Sequence, residues 1–245
     1  MSIRMTLSTA GRILRQLVHD RRTIALVVAV PALLLVLLRY VMDSQPHIFQ
    51  SVGLSMLGVF PFISMFLVTS VAMLRERTSG TLERALTTPV HKFDLICGYA
   101  LAFTLAAVVQ SVIASAVAYW WLDLDTDGPA WLVIVIAAAN AVLGLALGLF
   151  ASAFANTEFQ AVQFMPAIVL PQVLLCGLIW PRDQMADWLE KISDVLPLTY
   201  AVDALGEVGS HSDATRTLWW DLAIVAGCAV AALILGAATL RRRTA

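Results

Sequence analysis

Charge is scarce in this sequence. Asp, Glu, Lys and Arg make up 13% of the 245 residues, against 60% for hydrophobic types. A soluble domain carries about a quarter charged residues, so this balance excludes a water-soluble globule and calls for a nonpolar solvent. Cysteine is almost missing: Cys97, Cys176 and Cys228 stand singly in apolar runs without C-x-x-C spacing. That argues against a disulfide framework or thiolate metal site and for small buried hydrophobes. Histidine is limited to His19, His47, His91 and His211, all in or beside connections. With no H-E-x-x-H or G-x-S-x-G pattern, an intramembrane hydrolase has no candidate nucleophile or metal, so no catalytic, cofactor or metal residue is assigned. A G-x-x-x-x-G-K-[ST] phosphate loop is also missing, and the polar connections are too short for a nucleotide-binding domain, so no ATP hydrolysis is expected of this chain alone. The net charge of −1 gives no pull toward nucleic acid, and the placement of charge matters more than its sum.

What is abundant is long apolar runs. Six of them, at about 23–41, 48–74, 95–122, 129–155, 159–180 and 218–240, reach the roughly twenty residues that a helix needs to cross a bilayer. The expectation is an all-α membrane protein with six transmembrane helices and one transmembrane domain over 1–245. Residues 23–38 are long for the apolar part of a signal peptide, and no small-residue cleavage site follows, so the first span is expected to be retained. An even number of spans puts both termini on one side.

The basic residues choose that side. Arg4, Arg12, Arg15, Arg21 and Arg22, then Arg75, Arg77, Arg84 and Lys92, then Arg241, Arg242 and Arg243 fall in alternate connections and account for twelve of the sixteen Lys and Arg residues. Only Arg39, Arg182, Lys191 and Arg216 remain. The positive-inside rule therefore places both termini and the 75–93 segment in the cytoplasm, with the Asp123, Asp125 and Asp127 turn outside.

Several shorter signals refine this layout. Ile3, Leu7, Ala10, Leu14 and Leu17 recur at helical spacing with Arg12, Arg15 and His19 elsewhere around the turn, giving an amphipathic helix over 1–20 that lies on the membrane surface or else forms the solvated start of the first span. Asn140, Gly144 and Gly148 make a small-residue stripe for close helix packing. Asn156 or Thr157 can cap the fifth span, with Glu158 in its first turn; a cytoplasmic contact is the other reading of Glu158. Gln163, Pro166, Pro171 and Gln172 make that span polar and irregular, so it faces a translocation path or holds helices together within the subunit. Arg39 reads as a side chain snorkelling to the headgroups. In 181–210, Asp183 can cap a short helix carrying Met185, Trp188 or Leu189, Ile192 and Leu196, Pro197 stops it, and a second helix follows around 200–205. Both are apolar on one side, so they dip into the outer leaflet or cover the bundle.

The segment Arg75-Glu-Arg-Thr-Ser-Gly-Thr-Leu-Glu-Arg-Ala-Leu-Thr-Thr-Pro89 is the conspicuous polar interruption. Residues 81–88 can form a two-turn helix between Ser79–Gly80 and Pro89, with Leu82, Ala85 and Leu86 on one side and Glu83 and Arg84 elsewhere. A short stiff amphipathic helix suits a groove on another protein. The Glu76 to Pro89 stretch of this segment closely resembles the cytoplasmic loop between the second and third spans of type-2 ABC exporter permeases of the daunorubicin-resistance and nodulation type. The stretch from Pro181 to Leu205, ending Leu196-Pro-Leu-Thr-Tyr-Ala-Val-Asp-Ala-Leu205, is similar to that family's extracellular segment before the last span, except that Gly206 stands where a basic residue is expected, which bears on the outer helices.

The resemblance implies a permease subunit of an ATP-driven exporter working by alternating access in a bacterial cytoplasmic membrane. It implies a coupling helix that docks on a separate ABC ATPase through Arg75, Glu76, Arg77, Gly80, Thr81, Leu82, Glu83, Arg84, Leu86 and Pro89. It also implies a second permease chain, ATP and Mg held by the partner, and outer re-entrant helices carrying Trp188, Pro197 and Tyr200 that close the extracellular end. Apolar spans with few buried charges fit a lipophilic drug or lipid-like cargo, and a polysaccharide or glycolipid cargo is the alternative. An ion-coupled secondary transporter would need intramembrane carboxylates or inverted repeats; Asp94 and Asp221 sit at span ends, and no repeat is evident.

Overall fold

The computed structural model describes residues 3–79 and 92–239, and these are helical almost throughout. The order is α1 (Ile3–His19), α2 (Arg21–Val41), α3 (Pro46–Thr78), α4 (Lys92–Trp121), α5 (Ala130–Ala151), α6 (Glu158–Leu175), a 3₁₀ turn (Arg182–Gln184), α7 (Asp187–Ser193), α8 (Pro197–Ser210) and α9 (Arg216–Thr239). Six of these, α2 to α6 and α9, are long and apolar enough to cross a membrane. The predicted 81–88 helix lies outside the described residues.

The bundle is organised on α3 and α5, whose contact is the most extensive among the described residues. The small-residue stripe of α5 makes it possible. A Cβ on Gly144 would fall inside the Phe62 carbonyl, and one on Gly148 would lie 2.5 Å from the Phe66 carbonyl oxygen, so only glycine lets the two backbones approach this closely. Two side chains exploit the proximity: Asn140 Nδ2 donates to the Gly58 carbonyl at 2.9 Å, and Thr69 Oγ1 donates to the Leu145 carbonyl at 3.2 Å. Phe62, Phe66, Met65, Leu145 and Leu149 fill the space around them. Gln110 on α4 adds a third interhelical bond, donating to Ser64 Oγ on α3 at 2.5 Å.

Two element boundaries differ from expectation in ways that matter. The second span does not end near residue 74; α3 continues to Thr78 and, at about 1.5 Å per residue, is roughly 50 Å long against a hydrocarbon core of about 30 Å. Its last turn therefore continues as helix past the apolar run and carries Arg75, Glu76 and Arg77. The fifth span ends early. α6 stops at Leu175, where Cys176 N donates to the Gln172 carbonyl and Gly177 takes φ +88°, a left-handed stop that glycine adopts without strain.

Beyond that stop the outer segment also departs from the sequence reading. Asp183 does not cap a helix but lies in the 3₁₀ turn, and Ala186 is the N-cap of α7. Pro197 opens α8 at its first position, where its missing N–H is no loss, and α8 runs to Ser210, well past residues 200–205. At the other end, α1 packs on α4 through Ala10 and Ile13, while Ile3 and Leu7, assigned to the same apolar face, are exposed. Gly98 gives α1 its seat: a Cβ there would come within 2.7 Å of Thr9.

Candidate functional site

The polar end of α3 is where elements distant in sequence converge. Arg75 holds Glu158 in a two-pronged pair, Nε to Oε1 at 2.8 Å and Nη2 to Oε2 at 3.0 Å. Glu158 is the first residue of α6, and Thr157 Oγ1 caps that helix by accepting from Gln160 N at 3.2 Å. Glu158 thus sits in the first turn of its helix, where the helix dipole favours a carboxylate, and it also grips α3. One residue along, Glu76 meets Arg12 of α1 at 3.4 Å. The buried Tyr99 of α4 sets its hydroxyl beside both groups, 3.5 Å from Arg12 Nη2. Among the described residues, Arg77 Nε and Nη2 are buried without a hydrogen-bond partner. The last turn of α3 is thus tied to α1, α4 and α6 at the point where the 80–91 segment begins.

Of the residues expected to engage an ATPase, Arg75, Glu76 and Arg77 lie on this turn. Gly80, Thr81, Leu82, Glu83, Arg84, Leu86 and Pro89 lie outside the described residues. Sequence reasoning missed Arg12 and Tyr99 as members of this junction. Glu158 carried a legible signal, being the only charged residue between positions 128 and 181.

The residues assigned to a path or gate do not form one cluster. On α6, Gln163, Pro166 and Pro171 are exposed together with Leu170 and Leu174, whereas Gln172 is buried and donates from Nε2 to the Ile168 carbonyl at 3.1 Å. Gln172 thus faces the interior of the bundle, while the Gln163 side of α6 is left exposed by the described residues. Trp188 on α7 is exposed. Tyr200 and Pro197 lie on α8, and the Tyr200 hydroxyl donates to the Asp194 carbonyl at 2.6 Å.

That bond belongs to a set that closes the outer segment on itself. Ser193 Oγ donates to the Leu175 carbonyl at 2.8 Å, satisfying the last turn of α6, and Thr199 Oγ1 donates to the Ser193 carbonyl at 2.9 Å. Arg182 is the centre of charge: it pairs with Asp194 and donates from Nη1 to Asp203 Oδ2 at 2.9 Å. Burial pushes the Asp203 carboxyl above its ordinary range, and Arg182 pulls it back. Arg182 was legible as one of four cations outside the clusters at alternate connections; its partners were not. Arg39 pairs with Asp43 at 3.3 Å and sits 5.6 Å from the centre of the Phe49 ring, which anchors it at the end of its span.

Six apolar spans, an ion-paired junction at one end and a short-helix cap at the other define a multi-pass membrane protein. The chain belongs to the ABC-2 type transporter family, whose profile matches residues 6–208. It is similar to a probable multidrug ABC transporter permease, YbhR, of Escherichia coli strain K12, with 24% identity over 174 residues, covering 70% of this chain and 47% of the relative. It is also similar to the linearmycin resistance permease protein LnrN of Bacillus subtilis strain 168, 26% identical over 136 residues, 56% of this chain and 35% of the other. ABC transporter G family member 20 of Dictyostelium discoideum is 25% identical over 153 residues, 62% of this chain and 21% of that protein. The aligned part thus spans between a fifth and a half of these relatives' length.

Proposed function

We propose that this chain is the transmembrane permease subunit of an ATP-driven exporter, moving drugs or other lipophilic compounds out of a bacterial cell by alternating access. ATP and Mg are held by a separate ABC ATPase, which grips the cytoplasmic 75–93 segment. The observation that carries this reading is the convergence at α3's last turn. A push on residues 80–91 reaches Arg75 and Glu76 first, and through them Glu158 of α6, Arg12 of α1 and Tyr99 of α4. A rigid ionic junction can pass a displacement to several spans at once, which is what alternating access requires.

The names of two relatives, a multidrug permease and a linearmycin resistance permease, favour a lipophilic cargo over a polysaccharide. The uncovered face of α6 around Gln163, Pro166 and Pro171 is where a second permease chain, identical or paralogous, would complete the path. α7 and α8, with Trp188, Pro197 and Tyr200, close its outer end. The 1–245 chain then acts as one transmembrane domain with both termini in the cytoplasm.

The test is purification of the chain with the ATPase encoded beside it, followed by reconstitution. A stable complex whose ATP-dependent export is lost in Glu83→Lys, with membrane insertion intact, is the expected result. Normal export by that variant, or export unaffected by loss of the ATPase, refutes the assignment.

A further inference from the structure

The apolar side of α1 is wider than the bundle needs. Ala10 and Ile13 are buried, with Leu14 and Leu17 packed beside them. Ile3, Leu7 and Val18 fall on the neighbouring row of the helix and are exposed, Ile3 at 80% and Val18 at 63%. Arg4 and Arg15 follow on the next row round. They lie eleven residues apart, so they mark a line about 17 Å long that borders the exposed apolar row.

These two arginines differ from the third on the helix. Arg12 points to the other side and pairs with Glu76 of α3, whereas Arg4 and Arg15 have no side-chain hydrogen bond or ion pair to any described residue. α1 itself contains no Asp or Glu. Its depth is set by its seat on α4. Thr9 packs on Gly98, which lies five residues into the apolar stretch that opens at Phe93, about 7.5 Å along that helix. At its other end α1 stops at His19, four residues before the apolar stretch of α2 begins at Thr23. Both anchors hold α1 at the edge of the hydrocarbon layer, where an amphipathic helix sinks its apolar side about 5–10 Å into the headgroup boundary.

We propose that this side of α1 is a binding surface for anionic phospholipid, with Ile3, Leu7 and Val18 set among the acyl chains and the guanidinium groups of Arg4 and Arg15 on lipid phosphates. A guanidinium presents paired N–H donors that match phosphate oxygens, and a zwitterionic headgroup offsets that attraction with its own ammonium. Each arginine beside an anionic surface contributes about fivefold in binding. A free phosphate would serve the arginines and leave the exposed apolar row in water, so a lipid, which carries both parts in one molecule, is the occupant that fits the whole surface. The inference goes beyond the export reading and needs only a membrane around the six spans. It gives α1 a lipid partner on one side and, through Arg12 and Glu76, the α3 junction on the other.

The experiment titrates the full chain in neutral detergent with phosphatidylglycerol or phosphatidylcholine and reads bound lipid by native mass spectrometry. Saturable binding of phosphatidylglycerol is expected, with a preference over phosphatidylcholine that the double variant Arg4→Gln with Arg15→Gln lowers about tenfold or more. Lys191→Gln, which removes a cation from the exposed outer segment, should leave the preference as it is. An unchanged preference in the double variant overturns the lipid site, and so does the same loss per charge in Lys191→Gln, because net charge then explains the binding. A second measurement uses nanodiscs of an equal mixture of the two lipids, with Cys97, Cys176 and Cys228 replaced. Leu7→Cys and Val18→Cys should react with an impermeant thiol reagent several-fold more slowly than Ser8→Cys, which lies beyond the arginine row and is exposed. Equal rates at the three positions overturn the placement in lipid. Shielding of Leu7→Cys and Val18→Cys that appears only when the ATPase subunit is added assigns the surface to that protein and overturns the proposal, whereas shielding in discs of the chain alone supports it.

Discussion

At the residue scale, the side chains that organise both ends of the molecule are a few ion pairs joining distant parts of the chain. Arg75 and Glu158 are about half exposed, so their pair adds under about 1 kcal/mol to stability; its value is geometric, holding α6 to α3. Glu158→Arg should leave thermal stability nearly unchanged yet reduce ATP-driven export, and the swap Arg75→Glu with Glu158→Arg should restore much of it, as a transport assay on both variants beside the parent chain would show. Arg182 is different because it is shared by Asp194 and Asp203 and is three-quarters buried. Arg182→Met strands both carboxylates and should cost about 1–3 kcal/mol, read as a lower unfolding temperature in detergent. The pH dependence has a definite sign. Burial raises the folded Asp203 carboxyl above its unfolded value, so its stabilising contribution is complete below the unfolded range near pH 4 and is lost as pH rises through the folded value. In Arg182→Met the downward pull of the guanidinium is gone, and that loss should extend to higher pH in a melting series.

At the scale of elements, the α3–α5 contact sets shape against polarity. Asn140 donates one interhelical bond to the Gly58 carbonyl and keeps its Oδ1 buried without a partner. Interhelical bonds in membranes average only about 0.6 kcal/mol, so Asn140→Leu should be nearly neutral. Gly144→Val should not, because its Cβ meets the backbone of Phe62, which has no flexible end to move aside. A loss of about 1–3 kcal/mol or failure to assemble is expected, measured by fluorescence-monitored unfolding of the two variants side by side. The stripe was readable from its four-residue spacing; that it packs on Phe62 and Phe66 was not, because periodicity marks a face without naming its neighbour. The early stop of α6 was missed for a related reason: the apolar run continues to Trp180, and only the left-handed Gly177 and the bond from Ser193 to the Leu175 carbonyl end the helix.

At the scale of the whole molecule, orientation is the statement most open to direct measurement. With Cys97, Cys176 and Cys228 replaced, Ser79→Cys should be shielded from an impermeant thiol reagent in intact cells and labelled in inverted vesicles, and Asp125→Cys should behave in the opposite way. Both reacting from one side would reverse or break the proposed topology.

Composition and residue order alone determined the membrane as solvent, the six helices and the placement of cations at alternate connections, because each follows from local hydropathy, length and charge. The resemblance of the 76–89 and 181–205 segments also agreed with the family shown by residues 6–208. Tertiary structure decided the rest. It brought Arg75 to Glu158 across 83 positions, Arg12 to Tyr99 across 87 and Arg182 to Asp203 across 21. It also carried α3 past its apolar run and left Ile3, Leu7 and Val18 of α1 exposed. The physical reason is that a bilayer dictates which segments become helices, while which helices touch is settled by side-chain fit, and that information is spread over residues with no local pattern to link them.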